Sequence, residues 1–362
     1  MSDEKPLVEQ DPSVDLRDPD EVTIRDRKVV TQNYDLAVDS LVDQIKGNTI
    51  FLRPLSDRPD FQRKYVWKDD FASKLIESIL LNIPIPPCYL SQNEEFELDV
   101  IDGQQRLFSV YRFVTNQFAL TSLDVLTELN GKRFFEIPSR SQRQIKTHSL
   151  RCVLITNESH PEVKFNVFER LNTNTVPLNQ QELRNCIFRG SLNNLLKSIS
   201  HEAKWLEVLG KKAPDNRMRD EELILRFFAF QIGGLDGYKT PQKYWLNETA
   251  RKGMKFSSAE IQNLQQKWTL ALENSLIWNT ASTCFRRPGG KIINKALFDL
   301  VMYQASKITE VQAMASKDTV QSKIQLLLSD VTFDDLISRA VDHTSRTKTR
   351  FSKWDAAFAG VF

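Results

Sequence analysis

The chain has 362 residues, of which 41% are hydrophobic and 27% are charged, and its formal net charge is +2. This composition is typical of an ordinary globular protein, and the length exceeds the roughly 100–200 residues that one domain usually contains. A charge so close to zero excludes a histone-like polycation, so any binding of nucleic acid must depend on local basic patches.

Several other classes of protein are disfavoured. The most apolar run, from Leu223 to Leu235, is interrupted by Arg226 and is too short to span a membrane. The N-terminus begins with acidic residues, where a secretory leader needs basic ones. The four cysteines fit no metal-binding spacing and indicate free thiols: Cys88, Cys152, Cys186 and Cys284. We therefore expect a cytoplasmic protein with no membrane partner.

The chain divides by composition. Residues 1–28 contain nine acidic and five basic residues but few large apolar ones, so we predict a mobile acidic tail over residues 1–30. Residues 31–190 mix strand-like and helical patterns, and beyond Gly190 almost every segment has helical periodicity. The predicted fold class is α+β, with a mixed N-terminal domain at 31–190 and an all-helical domain at 191–362.

The N-terminal domain shows a regular succession of elements. We predict strands at 50–52, 88–90, 96–101 and 150–155, and helices at about 69–82, 104–114, 139–148, 162–171 and 178–188. The strands at 88–90 and 96–101 are separated by a short polar segment, which predicts a hairpin. In the last helix, Asn179 followed by Glu182 predicts a capping box.

A glycine turn follows the second hairpin strand. The segment Asp102-Gly103-Gln104-Gln105-Arg106 places a glycine where a strand passes into a helix, so the backbone can approach a ligand closely. First-turn amides and the helix dipole favour an anion there, and Arg106 can offer two donors to a phosphate. Asp102 can cap the turn or hold a metal-bound water. A purely structural glycine turn is the alternative.

Two further clusters carry polar side chains. Residues 59–67 alternate basic and polar groups with aromatic ones, which suggests contact with a planar, anionic ligand. At the end of a predicted helix, Glu169 and Asn172 flank Arg170 and Leu171, and both can supply oxygen ligands to a divalent ion. A surface ion pair and a helix C-cap are the structural alternatives for these two residues.

Together the three clusters resemble the motifs of the GmrSD-type restriction endonuclease N-terminal domain family, a branch of the ParB and sulfiredoxin-like superfold. The resemblance covers roughly residues 34–190. The family patterns FQRxYxW, DGQQR and FERLN are matched by Phe61, Gln62, Arg63, Tyr65 and Trp67, by Asp102 to Arg106, and by Phe168 to Asn172.

The resemblance implies a domain that binds a nucleoside triphosphate with Mg²⁺ and hydrolyses it. It assigns catalytic roles to Arg63, Asp102, Arg106 and Glu169, with Arg63 neutralising the charge that develops. It assigns metal binding to Glu169 and Asn172. The remaining nucleotide contacts that it implies are Gln62, Tyr65, Trp67, Gly103, Gln104, Gln105 and Arg170.

In restriction relatives, this domain is joined to or partnered with an HNH nuclease domain. The four histidines of the chain do not form such a site: His148, His160, His201 and His343. Two basic stretches remain for nucleic-acid contact. The first contains Arg140, Arg143, Lys146, His148 and Arg151, and the second contains Arg346, Lys348, Arg350 and Lys353 beside Phe351 and Trp354. Plain solvated surface is the alternative for both.

The leading hypothesis is a nucleotide-hydrolysing component of a bacterial restriction or anti-phage module, which acts on or senses DNA. Its partners would be a nucleotide, DNA and a separate nuclease subunit, and self-assembly is compatible with it. One alternative is a metal-dependent endonuclease that uses Arg63, Asp102 and Glu169. Another is a non-catalytic module that nucleotide binding switches.

Overall fold

The structure is a computed structural model that describes residues 7–9, 29–52, 67–171 and 178–362. These residues belong to two compact units. Arg25–Leu178 forms the sheet unit, whereas Met1–Ile24 and Asn179–Phe362 together form the helical unit. A mixed sheet in one unit and helices in the other confirm the predicted α+β class.

Short strands and helices alternate in the sheet unit. Its described strands are β1 (Thr31–Asn33), β2 (Leu36–Ala37), β3 (Ile50–Phe51), β4 (Cys88–Gln92), β5 (Leu98–Asp102), β6 (Ser149–Leu150) and β7 (Cys152–Ile155). Its described helices are α1 (Val38–Lys46), α2 (Asp69–Leu80), α3 (Gln104–Val114), α4 (Ser139–Thr147) and α5 (Pro161–Leu171).

Five strands form one mixed sheet in the order β1-β7-β4-β5-β3, and β2 pairs with β6 separately. Strands β4 and β5 are antiparallel, which confirms the predicted hairpin, while β4 runs parallel to β7. Alternate residues such as Leu90 and Val100 are buried in one core with Ile76 of α2 and Val110 of α3. This packing fixes the end of β5, where the glycine turn begins.

The helical unit contains eleven described helices. They are α6 (Gln180–Ile187), α7 (Ser191–Ser200), α8 (Ala203–Leu209), α9 (Arg219–Gly233), α10 (Gln242–Gly253), α11 (Ser258–Trp278), α12 (Lys295–Ala305), α13 (Glu310–Ala315), α14 (Lys317–Ser329), α15 (Val331–Ser338) and α16 (Thr344–Phe358). None of the helices in the described part of the chain has both the length and the apolar character of a membrane span.

Helix α6 belongs to the helical unit, so the division between units falls before Asn179 rather than near the predicted residue 190. The predicted capping box of Asn179 and Glu182 is present. Arg184 is buried and donates to Asn247 at 2.9 Å and to Glu222 at 3.0 Å. These long-range polar contacts bind α6 to α9 and α10.

Three residues of the predicted mobile tail pack against the helical unit. Leu7 and Val8 are buried, and Val8 pairs with Ile293. Glu9 lies 3.0 Å from the Arg287 guanidinium and accepts a hydrogen bond from Asn294 at 2.7 Å. These two apolar side chains and one carboxylate therefore contact residues almost 300 positions later in the sequence. The acidic composition of the tail does not predict these contacts.

Glu77 of α2 holds the segment that follows α3. Its carboxylate is buried and accepts backbone hydrogen bonds from Val125 and Leu126, both at 2.8 Å, and from Asp124 at 3.3 Å. Burial alone would raise the pKa of Glu77, but the three backbone donors lower it below the usual 4.5. The ionised carboxylate is therefore part of the folded sheet unit.

We predict that Glu77→Gln lowers the free energy of unfolding by about 2 kcal/mol, because an amide nitrogen replaces one charged acceptor beside the Asp124 N–H. Urea unfolding measures this loss, and exposed Glu95 offers the control Glu95→Gln. Since the folded pKa is depressed, the deficit should be full above the unfolded pKa of about 4.5 and disappear as the pH falls through the folded value. A deficit that does not change with pH would contradict this role.

Candidate functional site

The turn after β5 requires a glycine for two separate reasons. Gly103 has φ 97° and ψ 6°, in the left-handed region. A β-carbon at this position would also overlap the side chain of Cys88, which lies directly beneath it on β4. Gly103 therefore brings the start of α3 into close contact with the sheet.

Arg106 ties this turn to the neighbouring loop. Its Nη2 lies 2.6 Å from Asp102 Oδ2, and its Nη1 donates to the carbonyl oxygen of Pro87 at 3.3 Å and to that of Pro86. Asp102 thus pairs with Arg106, and the predicted capping role is wrong because no side chain caps α3. Two of the three guanidinium nitrogens have protein acceptors, so Arg106 positions the turn.

The start of α3 has the chemistry of an anion site. Gly103 is the N-cap, no side chain caps the helix, and its first turn carries no acidic residue. First-turn N–H groups have no acceptor within their own helix, and the helix dipole makes this end positive. A phosphate is a suitable acceptor for such a terminus.

The structure brings the first and second motifs together at one point. The backbone N–H of Trp67 donates to Gln105 Oε1 at 3.3 Å, and the half-buried Trp67 packs against the core of the sheet unit. The predicted contacts Gln62, Arg63 and Tyr65 lie outside the described residues. Trp67 therefore places the end of the first motif beside the DGQQR turn.

The third motif lies at the end of α5. Phe168 is buried, whereas Glu169 and Arg170 are exposed on the last turn of the helix. Asn172 lies outside the described residues. Among the residues that the structure describes, no three His, Cys, Asp or Glu side chains gather into a metal-binding group. The metal role of Glu169 and Asn172 remains a prediction.

Two buried thiols, Cys88 and Cys152, lie on the strands that pack beneath the Gly103 turn. Cys88 and Cys152 are register partners on the parallel strands β4 and β7, and both are free. Their mutual hydrogen bond lowers the pKa of Cys88 and raises that of Cys152, and the positive charge of Arg106 also lowers the pKa of Cys88. Cys88 is therefore the more acidic of the two thiols.

A cavity of about 310 Å³ opens beside Arg106. It extends under the loop between α2 and β4, at residues 82–86, and along residues 148–151, which follow α4. Its polar lining residues are Asn82, Arg106, His148, Ser149 and Arg151, and its apolar ones include Leu75, Ile83, Ile85, Leu107, Val110 and Leu150. Apolar walls with a few convergent polar groups are typical of small-ligand sites.

The electrostatics of the cavity are cationic. Arg151 contributes a permanent positive charge, Arg106 contributes one that is partly compensated by Asp102, and no carboxylate lies in the lining. Burial lowers the pKa of His148 below 6.5, so its ring is neutral at pH 7. In the sequence, His148 and Arg151 stand out only as members of a basic stretch, and no sequence signal marks Asn82 or Ser149 as part of a site.

One family model matches the chain. Residues 38–189 match the GmrSD restriction endonuclease, N-terminal domain. This segment is a GmrSD-type domain. No curated protein matches the chain. The match includes the DGQQR turn, Trp67 and the third motif, so all three clusters seen in the sequence lie inside the GmrSD-type domain.

Outside the GmrSD-type domain, three members of the second basic stretch are buried and cannot contact nucleic acid. Arg350, Phe351 and Trp354 are 0%, 1% and 1% exposed, so their predicted surface role is wrong. The Arg350 guanidinium donates to the carbonyl oxygen of Val341 and lies 3.6 Å from Asp299. Helix α16 turns these side chains inward, where they pack and pair.

We predict that Gly103→Ala in the GmrSD-type domain lowers the free energy of unfolding by roughly 2–4 kcal/mol, through left-handed strain and overlap with Cys88. The matched control is Gly131→Ala, since Gly131 has φ 80° but nothing within 4 Å of an added β-carbon. It should cost only about 1 kcal/mol. Urea unfolding measures both.

A double-mutant cycle separates overlap from strain. Adding Cys88→Ala to Gly103→Ala should recover at least about 1 kcal/mol relative to additivity, because the Cys88 sulfur is the nearest obstacle. Adding Cys88→Ala to Gly131→Ala should give additive effects. Equal costs at the two glycines, or additivity in both cycles, would contradict the close-contact explanation.

Proposed function

We propose that this chain is the nucleotide-binding and NTP-hydrolysing component of a restriction system that acts on DNA. Support for the restriction role comes from the GmrSD-type domain at residues 38–189. Support for the nucleotide comes from the uncapped start of α3 and from the cationic cavity beside Arg106. These two features share Arg106, whose position is fixed by Asp102.

The single observation that carries the proposal is that Arg106, in the first turn of α3, also lines the cavity together with Leu107 and Val110. Phosphates bound at Gly103, Gln104 and Gln105 would meet the helix amides, and Arg106, which follows them on α3, would compensate their charge together with Arg151 on the other side of the cavity. The apolar wall formed by Ile83, Ile85 and Leu150 suits the uncharged part of a ligand.

The residues fit a magnesium nucleotide better than a metal held by protein alone. Mg²⁺ commonly binds through one or two carboxylates together with phosphate oxygens and water. The exposed Glu169, with Asn172 beyond the described residues, would supply such a small ligand set, and Arg170 would contact the nucleotide. The bound ion would polarise the phosphoryl group and neutralise its charge.

The other side chains divide into positioning and contact roles. Arg106 fixes the turn through Asp102 and the proline carbonyls, and its remaining donors would contact phosphate. Trp67 holds the side chain of Gln105. Gln62, Arg63 and Tyr65 of the same motif would contact the nucleotide, with Arg63 neutralising the charge that develops at the transferred phosphoryl group. DNA cleavage would come from a separate nuclease subunit.

We predict that Gln104→Glu weakens the binding of Mg²⁺–NTP at least about tenfold, because a carboxylate replaces an amide of equal size beside the phosphates. Fluorescent NTP analogues titrated into the purified full chain measure the Kd. Gln117→Glu is the matched control, since exposed Gln117 follows the other end of α3 and makes the same charge change. Equal affinities for the wild type and Gln104→Glu would argue against phosphate binding at the turn.

The hydrolytic part of the proposal is measured by phosphate release from the same proteins. Glu169→Gln should retain nucleotide binding and lose about 100-fold in turnover, whereas Glu158→Gln, an exposed carboxylate before α5, should retain both. Binding without turnover by the wild type would instead identify a nucleotide switch. Cleavage of plasmid DNA without any nucleotide would identify a metal-dependent nuclease.

A further inference from the structure

Helix α4 presents one face to the core of the sheet unit and the opposite face to solvent. Ile145 is fully buried, while Arg140, Arg143 and Thr147 are exposed. The last three have helical spacing i, i+3 and i+7, which places them in one row on the side away from Ile145. This row is called the α4 basic row below.

The positive charges of the arginines in this row are not neutralised by ion pairs within the described chain. Over the described chain, no carboxylate pairs with Arg140 or Arg143, and α4 itself carries no acidic residue. By contrast, Arg112 pairs with Asp69 at 3.0 Å, and Arg106 pairs with Asp102 at 2.6 Å. Unpaired arginines side by side repel one another unless an external anion compensates them.

The flanks of α4 are fixed by contacts with neighbouring elements. Lys146 lies 3.3 Å from Asp39 of α1, and the Gln144 side chain donates to the carbonyl oxygen of Leu80 at the end of α2. These contacts hold the helix at both sides, while the row between them has no acidic neighbour on its own helix. The arginines are therefore presented on a rigid support.

We propose that the α4 basic row binds the phosphate backbone of duplex DNA. Guanidinium groups, serine hydroxyls and helix N-termini are among the groups that contact DNA phosphates. The row supplies two guanidinium groups, and Ser139 with an uncapped first turn lies at its start. The choice of DNA as the polyanion rests on the proposed restriction function.

The chemistry of the row favours DNA over an anionic membrane. A membrane-surface helix places large apolar residues beside its basic ones, and the exposed face of α4 carries only arginine, serine, threonine and glutamine. Neither Arg140 nor Arg143 lines the cavity beside Arg106. DNA binding and nucleotide binding can therefore be removed independently.

The test uses the full chain and the charge-reversed variant Arg140→Glu/Arg143→Glu. Fluorescence anisotropy with a labelled duplex of about three helical turns gives the Kd over a salt series from about 50 to 200 mM. We expect at least about a tenfold loss of affinity. The slope of log K against log salt should fall in magnitude by about 2, since two phosphate contacts are lost. Nucleotide binding should not change.

The control is Lys212→Glu/Lys317→Glu, which makes the same change in net charge at exposed positions of the helical unit. It should retain most of the DNA affinity. A second variant, Arg140→Gln/Arg143→Gln, removes the contacts without charge reversal and should show the same reduced salt slope. Unchanged thermal unfolding of both arginine variants establishes that α4 is intact.

Three outcomes would overturn the proposal. If the arginine variants bind DNA like the wild type, the row is plain surface, and the proposed function is unaffected. If the lysine control loses as much affinity, net charge rather than α4 drives the binding. If the wild type binds duplex RNA but not duplex DNA, or neither, then the row and the DNA-acting part of the proposed function both fail, whereas the nucleotide assay still reports on hydrolysis.

Discussion

The close contact of Gly103 with Cys88 is the constraint on which the candidate site depends. It brings the start of α3 down onto β4, and this places Arg106 within reach of Asp102 and of the Pro86 and Pro87 carbonyls. The same arrangement leaves the first turn of α3 without a side-chain cap and forms one wall of the cavity. The turn that packs α3 against β4 is therefore also the turn that carries the candidate anion site.

Local patterns were sufficient to predict several elements of the sheet unit and the start of the helical unit. The β4–β5 hairpin, helix α3 and the capping box of Asn179 with Glu182 follow from alternation, helical spacing and short-range hydrogen bonding, and the structure contains all three. The DGQQR turn was also recognisable, because its glycine stands between a strand pattern and a helix pattern. The pairing of Asp102 with Arg106 was missed, although their i, i+4 spacing allows it.

Features that depend on distant residues could not be predicted from the sequence. Leu7, Val8 and Glu9 bind partners near Ile293, so the acidic composition of their own segment is misleading. The cavity combines side chains from the α2–β4 loop with others that follow α4, and only tertiary packing brings them together. In α16, basic and aromatic residues resemble a surface patch, but helical geometry turns Arg350 and Trp354 inward.

Nucleotide phosphates bound at the start of α3 would protect its first backbone amides, and amide hydrogen exchange of the full chain with and without Mg²⁺–NTP measures this protection. We predict slower exchange at the backbone amides of residues 103–107 when nucleotide is present. The amides of residues 124–126, which bind Glu77, serve as an internal reference and should not change. Unchanged exchange at 103–107 under saturating nucleotide would contradict phosphate binding at the start of α3.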